Sequence, residues 1–251
     1  MWQKLQNPPV VVALAQLKFK LPSFKIEDVV NKCDAPLRHT LTSRRNNIQV
    51  GLDFGRSAIP LGESKISGVS NAEIGSYVYY VKTQKIKLEI SKDTITYVDE
   101  TPYESWEAFK KQALYYFDIL LPVLENAEIY RTSIRFVNRF TFDEFNNPED
   151  YINTLITSKN GETPYPLNQY GFRLLMDVPQ TDIYTIVNHN VENLPQGQYI
   201  YTLDIDVLDK QKLVYDIESL SDSLEHLREI KNSIFFASIT EKTIALCNSP
   251  Q

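Results

Sequence analysis

Residues 129–140, IYRTSIRFVNRF, lie in the middle of the chain and alternate with a period of two. Side chains of a strand point to opposite faces in turn. Tyr130, Thr132, Ile134, Phe136 and Phe140 therefore share one face, with Asn138 as its polar exception. Arg131, Ser133, Arg135, Val137 and Arg139 share the other. Successive arginines then stand about 13 Å apart. The stretch divides the chain, because the elements before it recur after it.

Upstream, Val10 to Lys20 reads as a strand, apolar at first and alternating at its end. A short helix, Ile26 to Cys33, is expected to stop at Asp34-Ala35-Pro36. Leu37 to Asn47 is ambiguous, Ile48 to Phe54 suits a strand, and Gly55 to Gly75 reads as a long loop of the kind that is often functional. Three strands follow, at 77–83, 86–90 and 94–98. A helix is expected from Trp106 to Asn126, with Ser105 as its cap and Pro122 set to kink it or end it early.

Downstream of the opening stretch the order repeats. A short helix is expected at 148–157, then strands at 170–178, 183–189 and 199–207. A long helix follows at 222–238, and a last short helix begins after Thr240. Each half reads strand, short helix, three antiparallel strands, long helix, with halves 1–127 and 128–251. The fold class is α+β. Two such halves form either one continuous curved antiparallel sheet with the long helices on one face, or two small domains.

Composition narrows the function classes. A net charge of −6 repels phosphate and argues against a general nucleic-acid or anionic-membrane binder. Only 8 glycines argue against a glycine-rich nucleotide fold, and Gly51 to Gly55 lacks the Lys-Ser/Thr of a phosphate loop. No window reaches the ~20 apolar residues of a membrane span. The first residues fit a secretory leader poorly, since Pro8 and Pro9 break the apolar run. Cys33 and Cys247 fit no metal spacing and read as two buried free thiols in a reducing cytoplasm.

Four segments, with the opening Asn7-Pro8-Pro9, carry a resemblance. They are Pro102-Tyr103-x-x-Trp106-x-x-Phe109, Arg135 to Arg139, Leu203-Asp204-Ile205-Asp206, and Lys231 to Thr240. In this order and spacing the chain resembles a sporadically distributed bacterial protein family of about 250 residues whose function is uncharacterised. Members often carry Leu-His-Glu before the Lys-Asn pair of the last helix. Here that place reads Leu227-Arg228-Glu229, with His226 one residue earlier. The resemblance implies no reaction, cofactor or catalytic residue.

The arginine face admits two readings. Arg131, Arg135 and Arg139, with Asn138 beside them, are a candidate anion site, since arginine grips phosphate or carboxylate with two nitrogens. Alternatively, Asp204 and Asp206 of a neighbouring strand neutralise that face as cross-strand pairs. The two aspartates lack a third ligand for a metal unless Asp177 joins them, and no metal or other cofactor is expected. His39, His189 and His226 form no ligand pattern and read as surface or capping residues. Tyr77, Tyr79, Tyr80 and Tyr97, interleaved with Arg44, Arg45, Lys82, Lys85 and Lys87, have the composition of a base-stacking platform. The plainer reading is an aromatic sheet with a lysine-guarded edge. Trp106 and Tyr103 read as a plug between helix and sheet.

No nucleophile elbow is present. The leading expectation is a non-enzymatic binding or regulatory protein acting through the sheet face or the cleft between halves. The alternative is a ligand-binding module or enzyme acting on a nucleotide or other phosphorylated or anionic small molecule through the arginine face. A protein partner that orders residues 55–75, or self-association into an oligomer, is a third.

Overall fold

The computed structural model describes residues 2–51, 71–143, 148–154, 169–194 and 197–249. In chain order its elements are β1 (Val10–Lys20), α1 (Ile26–Thr40), β2 (Ser43–Gly51), β3 (Asn71–Tyr80), β4 (Ile86–Ser91) and β5 (Thr94–Asp99). Then come α2 (Trp106–Ile119), the single turn α3 (Leu121–Leu124) and β6 (Glu128–Phe142). A 3-10 turn (Pro148–Asp150) leads to β7 (Gln169–Asp177), β8 (Ile183–Asn193), β9 (Tyr199–Asp209) and the short β10 (Leu213–Val214). Two helices close the chain, α4 (Ile217–Ser238) and α5 (Glu241–Cys247).

The strands form one antiparallel sheet in the order β2-β3-β4-β5-β1-β6-β9-β8-β7, with β10 paired to one end of β6. Strands β1 and β6, which open the two halves, lie side by side at its centre. On each side the last strand of a half returns to its own first strand, β5 to β1 and β9 to β6. The halves thus share a sheet. They differ among the described residues: β2 gives the first half an extra edge strand, α1 stands where the second half has a 3-10 turn, and the second half adds β10 and α5.

Cross-strand register puts the apolar residues on one face. Ala15 faces Tyr97 on one side and Ile134 on the other, and Ile134 faces Val207. All four are buried. Helices α2 and α4 pack on each other and on this face, α2 against β5 and α4 against β6 and β9. Helix α2 does so because Trp106, Phe109, Ala113, Tyr116 and Phe117 fall on one stripe. Helix α4 does so through Leu220, Leu224, Leu227 and Phe235. The caps are those the sequence suggests: Ser105 Oγ accepts from Ala108 N–H at 3.1 Å, and Thr240 Oγ1 from Thr243 N–H at 3.4 Å.

Several local expectations are corrected. Helix α1 does not stop before Pro36 but runs to Thr40. Val29, Cys33 and Leu37 continue one buried stripe past the proline, and burying Leu37 offsets the missing hydrogen bond. Strand β2 starts at Ser43, five residues before Ile48, where Arg44 bonds Asp34 of α1. Residues 71–75, expected in the long loop, belong to β3, while 52–70 lie outside the described residues. The 106–126 helix does end early, as Pro122 leads one to expect: α2 stops at Ile119 and Pro122 sits in the first turn of α3. The helix expected at 148–157 is a 3-10 turn, with residues from 155 outside the described set. A bulge between the Lys18–Arg131 and Phe19–Ile129 pairs breaks the alternation at its start. Ile129 and not Tyr130 therefore joins the buried face.

Both cysteines are buried free thiols. No described helix is long and apolar enough to cross a membrane.

Candidate functional site

The outer face of β6 is where the arginines stand. The register sets Arg135 opposite Asp206 and Val137 opposite Asp204. Arg135 reaches diagonally instead. Its Nε and one terminal nitrogen donate to the two oxygens of Asp204, each at 2.8 Å, a bidentate pair. Asn188 of β8 donates to the same carboxylate at 3.1 Å. The Asp204 side chain is only 9% exposed, so Arg135 is its neutralising partner. Arg131 donates to Gln16 of β1, while its Nε is buried without an acceptor. Arg139 is exposed, and its backbone N–H binds the Pro9 carbonyl at 2.8 Å. Burial raises the Asp206 carboxyl to about 6, against the pull of Arg135. Asp204 thus engages Arg135 as its partner across the strands, while Asp206 lies opposite Arg135 in register without an ion pair among the described residues. Asp177, on β7, is separated from both aspartates by β8.

Two other expectations are corrected here. His189 is 1% exposed, not a surface or capping residue. Its ring stacks on Phe172 at 4.5 Å, and Nδ1 shares a hydrogen bond with Tyr201 Oη at 2.9 Å. Burial lowers its pKa to about 4, so it is neutral near pH 7. Tyr77, Tyr79 and Tyr97 are buried under the helices and present no platform to bases. Arg44 lies over the rings of Tyr77 and Tyr79, 5.3 and 5.9 Å from their centroids.

The inner face of β6 leads to a cleft of about 190 Å³. Its walls come from the N-terminal segment, the turn into α2, β6 and α4. Pro8, Tyr103, Trp106, Asn138, Lys231, Asn232 and Phe235, taken from all these segments, meet there. Trp106 anchors one wall. Its indole N–H donates to Glu225 at 2.8 Å, Lys110 binds the same oxygen at 2.6 Å, and Arg228 lies 5.5 Å over its ring. The N-terminal segment forms the other wall. Trp2 stacks on Phe236 with centroids 5.5 Å apart and donates to Glu229 at 2.6 Å. Asn7 ties the segment to α5 through the Cys247 carbonyl at 2.8 Å.

Three polar side chains enter this aromatic setting. Asn138 donates to the carbonyls of Leu203 and Phe136, at 3.0 and 3.4 Å, which leaves its Oδ1 without a donor among the described residues. Asn232 is buried and makes no hydrogen bond with the described residues. Lys231 puts its Nζ 4.6 Å from the centroid of Phe136 and finds neither acceptor nor carboxylate among the described residues. Burial lowers this ammonium to about 7, and the charge of Arg228 adds to the shift while Glu229 opposes it. The arrangement places hydrogen-bond donors, an acceptor and a lysine amine between aromatic walls.

Of these, Asn138 was legible as the polar exception on an apolar strand face. The signal for Lys231 is also in the sequence. Leu220, Leu224, Leu227, Lys231 and Phe235 follow one helical stripe, and a lysine there stands where a leucine would pack. Compared with protein-family models, with curated proteins and with solved structures, the chain matches none.

Proposed function

We propose that the protein is a non-enzymatic binding or regulatory protein whose ligand occupies the cleft beneath α4, between the two halves of the sheet. The carrying observation is the meeting of Lys231, Asn138 and Asn232 in an aromatic cleft, each with hydrogen-bonding capacity that the described residues leave unused. Polar groups that open on a cleft between apolar walls are the groups that fix the orientation of a small ligand. The volume suits a small molecule or one side-chain-sized group of a larger partner. Two buried free thiols are in keeping with action in the cytoplasm. The outer arginine face is the weaker candidate for an anion, since Arg135 is held by Asp204.

Both tryptophans of the chain, Trp2 and Trp106, line the cleft, so intrinsic fluorescence reports on its occupancy. A panel of small aromatic acids, aldehydes, nucleotides and phosphosugars is titrated against native protein, N232L and R135A. A ligand at 100 times its dissociation constant adds about 2.7 kcal/mol of stability. The reading expects a fluorescence change that R135A retains and N232L weakens at least tenfold. A ligand whose binding R135A abolishes and N232L leaves intact places the site on the outer face and overturns it.

A further inference from the structure

We infer that the cleft selects a small aromatic carboxylate, a single ring whose acid group pairs with Lys231; this rests on the cleft being the ligand site. Aromatic walls alone accept a cationic, a neutral or an anionic ring, and the polar groups set among them decide which. A cation is disfavoured because ring faces that would hold it are already taken. Lys231 stands over Phe136 at 4.6 Å and Arg228 over Trp106 at 5.5 Å. A cationic guest would meet both as like charges.

An anion finds a counter-charge there. Arg228 is not that charge, since Glu107 lies 3.5 Å and Glu225 3.4 Å from its guanidinium. Lys4 is exposed. Lys231 is half-buried, lines the cleft and makes no ion pair among the described residues. The carboxylates nearby are engaged elsewhere or face water. Glu225 also binds Lys110 at 2.6 Å, Glu229 accepts from Trp2 at 2.6 Å, and Glu104 is exposed. The Phe136 ring favours the ammonium of Lys231, burial disfavours it, and a bound carboxylate settles the balance toward the ammonium.

The two amides complete the recognition. Among the described residues, the side-chain polar atoms sealed from solvent without a partner are Nε of Arg131 and Oδ1 of Asn193. The unused atoms of Asn138 and Asn232 are therefore not sealed, and both residues line the cleft. Asn232 follows Lys231 on α4, about 100° further round the helix, so its Nδ2 is a second donor for the same carboxylate. Asn138 is oriented by its partners, because both are carbonyls and must face Nδ2. Its Oδ1 is then an acceptor, which suits a hydroxyl or N–H on the ring and not a second anion. A cleft of about 190 Å³ suits one ring.

The test is a series of three probes of similar shape, benzoate, benzyl alcohol and benzylamine. Each is titrated against the full chain near pH 6.5, where carboxylates are ionised, and followed by tryptophan fluorescence. Native protein is expected to hold benzoate about tenfold tighter than benzyl alcohol, and benzylamine most weakly. K231M is expected to erase the preference for benzoate while benzyl alcohol still binds, and K231R to keep it. Benzyl alcohol or benzylamine binding native protein as tightly as benzoate overturns the carboxylate and leaves the cleft as a ligand site; that comparison needs no variant to fold. A preference for benzoate that K231M retains overturns Lys231 as its partner, and its loss in R135A instead places the anion on the outer face. Failure of all three probes overturns the carboxylate and counts against the cleft itself.

Discussion

Arg135 and Lys231 are cations on opposite sides of the same strand, and they are treated in opposite ways. Arg135, on the outer face of β6, is 48% exposed and holds a buried carboxylate with two nitrogens. Lys231, above the inner face, has an aromatic ring beneath it and no ion-pair partner among the described residues. The difference follows from what each neighbour can offer. Strand β9 presents Asp204 to the outer face, while its inner face presents Leu203 and Ile205 to the core. A charge beside water is paired, and a charge under a helix is pushed toward neutrality. The paired cation reads as structure, and the other is the residue on which the proposed ligand reading leans.

The comparison breaks most severely at Phe136, the ring beneath Lys231. Phe136→Ala removes a fully buried side chain that also meets Tyr103, Trp106 and Phe109, and should cost about 4 kcal/mol in urea unfolding. A loss under about 1 kcal/mol would mean that the cleft floor is not packed as described.

Next comes Arg135→Ala. It strands Asp204 without its partner, and a loss of about 2 kcal/mol is expected after allowing for the exposure of the arginine. The double variant R135A/D204N should recover part of that loss. If R135A costs nothing, the outer arginine is not a structural partner and the contrast with Lys231 loses its basis.

Acidification acts through His189 on the same inner face. Its pKa is lowered in the folded protein, so its contribution to stability is complete above about 6.5 and is lost as pH falls through about 4. Asp206 works in the other sense. Its carboxyl is raised, so its contribution is present below about 3.9 and is lost as pH rises through about 6. Proton NMR should find His189 still neutral at pH 5. Titration near 6.5 would contradict its burial against Tyr201.

The smallest change is expected for Lys231→Met, which restores an apolar residue to the stripe of α4. At pH 7 its stability should equal or slightly exceed that of the native protein. The native lysine has a lowered pKa, so its contribution is complete above about 10.4 and is lost as pH falls through about 7. Native stability should therefore rise relative to K231M between pH 7 and 9. Parallel curves for the two proteins over that range would show the amine to be an ordinary, solvated one.

Much of the architecture was legible. Period-two alternation located β6, period-3.6 stripes located α2 and α4, and Ser105 and Thr240 announced their helices. Those signals are local, because side-chain direction follows from backbone geometry. Errors arose where distant contacts overrode them. Leu37 carried α1 past a proline, a bulge against β1 turned Tyr130 off the buried face, and Phe172 with Tyr201 enclosed a histidine that looked superficial.

The sequence by itself determined that this chain is α+β, that β6 is a strand, and that arginines line one face of it with Asn138 as the polar exception on the other. Alternation and helical spacing suffice for that. Only the tertiary structure decided that the halves share one sheet, that Arg135 belongs to Asp204, and that Lys231 meets Asn138 and Asn232 in a cleft. Those outcomes depend on which strand lies beside which and which helix lies above, contacts made between residues far apart in the chain.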